Sequence, residues 1–110
     1  MAYDEHLAER VRAILGAYPD VRERRMFGGL GFMVQGSMAV AASSRGGLLA
    51  RVDPAEGAAL ADDERVQPMV MRGRPMRGWL HVAPAAVAGE AHLRRWVARS
   101  VAYVQTLPPT

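Results

Sequence analysis

Apolar residues recur at helical spacing near both ends of the chain and alternate with polar ones between. Leu7, Val11, Ile14, Leu15 and Tyr18 form a stripe that predicts a first helix over roughly residues 4 to 18. Asp4 stands before the stripe as its cap, and Glu5 lies in the first turn, where the helix dipole favours an anion. Pro19-Asp20 is a stop signal. At the other end, Leu93, Val97, Val101 and Val104 predict a last helix over residues 90 to 107, widened or flanked by Trp96, Ser100 and Tyr103 and stopped by Pro108-Pro109.

Residues 21 to 27 alternate imperfectly, with Val21 and Glu23 on one side and Arg22 and Arg24 on the other, and read as a strand. Leu30 to Val34 reads as a second strand, Gln35-Gly36 as a hairpin turn and Ser37 to Ala42 as a third strand. After the turn from Ser43 to Gly47, Leu48 to Val52 returns as another, so a meander of about four short strands is expected. Asp53 and Pro54 open a helix of about eight residues ending near Asp62. Val66 to Met71 is a strand whose Pro68 marks an edge or bulge. Gly73-Arg74-Pro75 reads as a loop. Gly78 to Ala83 is the last strand, with Trp79 and His81 on one face and Leu80 and Val82 on the other. Helical ends and a strand-rich centre predict a two-layer α+β fold. Its antiparallel sheet has about five strands and carries three helices, in the order α-β-β-β-α-β-β-α or with one further short strand.

The length of 110 residues suits one domain, residues 1–110, and a core that folds without staples. There is no cysteine, which excludes disulfides and thiolate metal sites. No N-terminal run pairs a basic start with an apolar stretch, and the apolar runs are too short to span a bilayer. The expectation is a cytoplasmic protein without a membrane segment. All fourteen basic residues are arginine, against eleven acids, and the net charge of +3 does not by itself predict nucleic-acid binding.

The segment MFGGLGF, residues 26–32, interleaves three glycines with bulky apolar residues. Its spacing departs from the dinucleotide fingerprint, no Gly-Lys-Ser or Gly-Lys-Thr follows, and the next segment is a strand. A connection between strands is therefore expected. Gly28, Gly29, Gly31, Gly36 and Gly78 are assigned structural turn roles, through positive φ or close backbone approach. Met26, Phe27 and Phe32 are expected in the core or an interface.

Residues 24–42, RRMFGGLGFMVQGSMAVAA, closely resemble the start of the N-terminal domain of the TfoX/Sxy family of bacterial competence regulators. RPMRGWLHV, residues 74–82, is a second match, and the C-terminal LRRWVARSVAYVQTLPP agrees in character and spacing. The resemblance covers nearly the whole chain. It implies a two-layer fold with an antiparallel sheet and three helices, similar to type III secretion chaperones and often dimeric. It implies a link to transcriptional regulation and no established chemistry. Such domains occur alone or fused to a helix-rich second domain, for which this chain is too short.

The residues themselves point away from catalysis. His6, His81 and His92 have no second metal ligand at a recognisable spacing, and Asp62, Asp63 and Glu64 read as a solvated helix end. There is no nucleophile elbow or HExxH. His81 is expected to be a satisfied or partly exposed histidine on a sheet face, with a pocket beside it as the least favoured, enzymatic alternative. No catalytic residue, metal or cofactor is expected.

Two arginine clusters remain, Arg22, Arg24 and Arg25, and Arg72, Arg74 and Arg77. Arg24, Arg25, Arg72, Arg74 and Arg77 are the candidate binding residues, because guanidinium forks suit phosphate and carboxylate oxygens. Met26, Met33, Met38, Met69, Met71 and Met76 flank the strands; core packing is expected of them, with a dimer face or partner groove as the alternative. The expected function is a non-enzymatic regulatory or protein-interaction domain linked to transcriptional or competence-type regulation. It would act as a homodimer, through an edge strand or an apolar patch, on an unidentified protein partner. The alternative is direct nucleic-acid binding through the arginine clusters.

Overall fold

A computed structural model describes residues 3–26, 28–61 and 64–108. The first helix, α1, spans Glu5–Leu15. Asp4 caps it, its Oδ1 accepting from the Leu7 amide at 3.1 Å, which contributes about 1 kcal/mol. Its stripe of Leu7, Ala8, Val11, Ile14 and Leu15 is buried. The chain turns at Asp20, in the left-handed region at φ 55°, and enters the sheet.

Four strands follow as the expected meander: β1 (Val21–Met26), β2 (Gly29–Val34), β3 (Ser37–Ala42) and β4 (Leu48–Arg51). Helix α2 (Pro54–Leu60) starts at Asp53, whose Oδ1 accepts from the Ala55 amide at 2.9 Å. Its expected end at Asp62 and the expected Phe27 end of β1 lie outside the described residues. The chain returns as β5 (Val66–Met71) and β6 (Arg74–Val82), then passes through a 3-10 turn, Pro84–Val87, into α3 (Glu90–Val104). The sheet is antiparallel and six-stranded, in the order β1-β2-β3-β4-β6-β5. The fold is thus α+β with three α-helices, and β4 is the further short strand.

One expected loop is a strand. The turn between β5 and β6 is only Arg72-Gly73, at φ 55° and 78°, and β6 begins at Arg74. Two consecutive positive φ values match the twist of a tight hairpin, so no longer loop is needed. Pro75 is tolerated because this part of β6 pairs only with β5 and leaves its other edge free. Pro68 lies on the outer strand β5, beside a register shift between Pro68 and Val70.

The helices cover one face of the sheet. Phe32, Val40, Leu48, Ala50, Leu80 and Val82 point into this layer, and Leu93, Val97 and Val101 of α3 meet them; all are nearly fully buried. Each of these valine, leucine and phenylalanine side chains contributes about 1.5–3 kcal/mol through its burial. Met26, Met33, Met38, Met69 and Met76, expected in the core, are not in the buried core. The covered face is filled by branched and aromatic side chains, which leaves the thioethers for the other side.

An open face and its groove

Side chains alternate across each strand, so the residues between the core positions point the other way. Met38 and Ala41 of β3, Leu49 of β4 and Trp79 and His81 of β6 share this second face, and Met26 and Gly29 border it at one end. They line a groove of about 670 Å³ to which, among the described residues, no helix contributes. Leu49 stands directly opposite His81, and Arg51 opposite Trp79.

The far wall is the β5–β6 hairpin. β4 pairs with β6 only from Trp79 to Val82, and the stretch from Arg74 to Met76 runs on beyond β4 with β5 as its partner. Val70 and Met76 on this projection are 51% and 37% exposed, and both line the groove with Met69. At the other side, Gly31 makes room on β2: a Cβ there would lie 2.5 Å from the Met38 Sδ. The missing side chain lets the thioether lie over the strand.

Polar groups mark the rim. His81 Nε2 donates to the Gly46 carbonyl at 2.8 Å and so ties β6 to the β3–β4 turn. Arg45 in that turn and Arg72 in the β5–β6 turn are the arginines lining the groove, and among the described residues its lining includes no carboxylate. Below it, the Arg51 guanidinium lies 5.7 Å from the Trp79 ring and 5.9 Å from the Tyr103 ring, a cation–π arrangement that fixes the indole.

The structure does not gather the candidate arginines. Arg24 and Arg25 lie on β1 and Arg72 lies beside β5, the two outer strands of the sheet, while Arg74 and Arg77 lie on the projecting part of β6. All five are exposed. Arg25 faces the helix side, opposite Leu30, and Arg24 the open side, opposite Gly31. Arg24 borders a different hollow of about 960 Å³, where Asp20, Arg22 and Glu23 mix both signs of charge. Glu23 is bound by Arg12 of α1 in a two-pronged pair whose Arg12 Nη2 lies 2.8 Å from Glu23 Oε1. That hydrogen bond holds the Glu23 carboxyl below its ordinary range and raises Arg12.

Of the glycines assigned to turns, Gly28, Gly36 and Gly78 have positive φ, whereas Gly29 and Gly31 lie inside β2. Their role there is close approach, Gly29 to the Ala42 carbonyl and Gly31 to Met38. Leu49, Arg45 and Val70 were not singled out by the sequence. The adjacent Leu48 and Leu49 held a signal, since two neighbouring apolar residues in a strand put one on each face.

Among the described residues, no three histidine, aspartate or glutamate side chains come together to hold a metal ion, and no helix is long and apolar enough to cross a membrane. Fold and groove together define a small α+β domain with one sheet face left open. The family model of the TfoX N-terminal domain matches residues 13–104, and the chain belongs to that family. It is a family of non-catalytic regulatory domains, and a regulatory or interaction role follows for this chain. No curated protein and no solved structure matches the chain.

Proposed function

We propose that this domain regulates by binding protein chains, that it works as a homodimer, and that the open face of its sheet is the surface for a further partner. The observation that carries this reading is the uncovered apolar face, with Leu49 and Trp79 at its centre and Val70 and Met76 more than one-third exposed. A contiguous apolar patch on a soluble fold marks an interaction site.

Dimerisation is supported by the shape of the sheet edges. β1 keeps an unbroken register from Val21 to Met26, while β5 is interrupted at Pro68. A two-fold axis through Arg24 would continue the sheet and set Glu23 of one copy against Arg25 of the other, twice, against a single Arg24–Arg24 approach on the opposite side of the strand. Direct nucleic-acid contact would require arginines on one surface. Their division between β1 at one side of the sheet and the β5–β6 hairpin at the other favours the protein reading.

Sedimentation equilibrium tests the dimer. The native chain should self-associate, and Arg25→Glu should weaken association about tenfold or more, since like charges then meet across the axis. A monomer at every concentration sinks the dimer. Fluorescence anisotropy with labelled duplex DNA, single-stranded DNA and RNA across a salt series tests the competing reading. Saturable, salt-sensitive binding that disappears in Arg72/Arg74/Arg77→Ala would replace the proposal with nucleic-acid recognition.

A further inference from the structure

We infer that the open groove receives an acidic amphipathic helix of a partner protein. The inference rests on the reading of this face as a contact surface and adds the chemistry of its occupant.

The floor determines the secondary structure of the occupant. It consists of side chains on interior strands, whose backbone groups are already used in the ladder. It therefore offers a guest backbone almost no hydrogen bonds. Both edges beside it are interrupted, β5 by Pro68 and the register shift after it and the free edge of β6 by Pro75, so an added strand would find no continuous partner. A helix satisfies its own backbone and presents only side chains. Met26, Met38 and Met69 in the lining suit such a guest, because unbranched thioethers adjust to its ridges.

The rim determines its charge. Arg45 and Arg72 line the groove, and among the described residues no carboxylate does. They sit in turns at opposite ends of the strands. The six residues of β5 separate the two levels, about 20 Å at about 3.3 Å per residue. A helix of about thirteen residues has that length. Carboxylates near both its ends would meet the guanidiniums while its apolar face lies on Leu49 and Trp79. A second copy stacked on this face about a two-fold axis would bring arginines toward arginines without compensating acids. Within the chain, α1 and α3 pack on the opposite face, and α2 has only seven residues.

The test uses the full chain and two labelled peptides of about fourteen residues. One carries leucines at helical spacing with glutamates on its other face, and its counterpart has lysines in place of the glutamates. By anisotropy at low salt, the glutamate peptide should bind at least about tenfold more tightly, and circular dichroism should show it gaining helix on binding. Arg45→Glu/Arg72→Glu, at two exposed positions, should reverse the preference. Equal binding of both peptides, no binding of either, or a preference untouched by the double variant overturns the inference. Met76→Glu separates this failure from that of the open-face reading. If neither peptide binds yet Met76→Glu weakens self-association, the face contacts a second copy, so the inference falls and the contact surface stands. If Met76→Glu changes neither, both fall.

Discussion

His81 on β6 donates from Nε2 to the carbonyl of Gly46, 2.8 Å away and thirty-five positions earlier in the chain. The bond closes the β3–β4 turn, where Gly46 and Gly47 both have positive φ, against the strand that neighbours β4. The imidazole is engaged in holding a turn rather than poised as a general base. His81→Ala should lower stability by about 1–2 kcal/mol, measured by urea denaturation, through the lost bond and its unsatisfied carbonyl. Gly47→Ala should also destabilise, since a Cβ there meets the Val82 carbonyl and comes within 3.3 Å of the His81 ring. Unchanged urea midpoints in both variants would refute the clasp.

The Arg12–Glu23 pair predicts a pH dependence. The Glu23 carboxyl titrates below its unfolded value of about 4.3, chiefly because it accepts from Arg12. A depressed folded value means the stabilisation is complete above the unfolded value and disappears as pH falls through the folded one. Both side chains are at least one-third exposed, so solvent limits the contribution to about 0.5–1 kcal/mol. The difference in unfolding free energy between the native chain and Glu23→Gln should therefore shrink between about pH 5 and pH 2. A difference that stays constant over that range would count against the pair.

Ser100 is fully buried on α3, and its Oγ has no hydrogen-bond partner among the described residues. A buried hydroxyl left unpaired carries its desolvation penalty without return. Ser100→Ala removes that oxygen with little change in volume and should raise stability by about 1 kcal/mol in thermal or urea unfolding. Lower stability in this variant would mean that the hydroxyl has a partner.

Gly28 joins β1 to β2 at φ 77°. Side chains branched at Cβ are strained in that region, so Gly28→Val should cost about 1–3 kcal/mol and act on folding before any binding property. A variant that unfolds at the native temperature yet loses a defined ligand would instead make Gly28 a contact residue.

Much of the fold was legible because its signals are local. Asp4 and Asp53 cap the helices they precede, and Gln35-Gly36 forms the expected hairpin turn with positive φ at both residues. The start of β6 was missed because glycine and proline around Arg74 resemble a loop, and only pairing with Val70 and Met71 reveals the strand. The candidate site was harder to see. Trp79 and Leu49 come from segments about thirty residues apart, and nothing local says that they share a face.

By itself, the sequence determined the elements, their order and which residues within each strand share a side, since caps, turn residues and alternation act over a few positions. It also identified the family, through blocks that keep their residues and spacing. Tertiary structure alone decided that β6 lies between β4 and β5, that both long helices pack on one face, and that methionines line the other. It also sent the two arginine clusters to opposite outer parts of the sheet. These outcomes depend on pairing between distant segments, where the gain comes from burying one whole face, and alternation cannot say which face that will be.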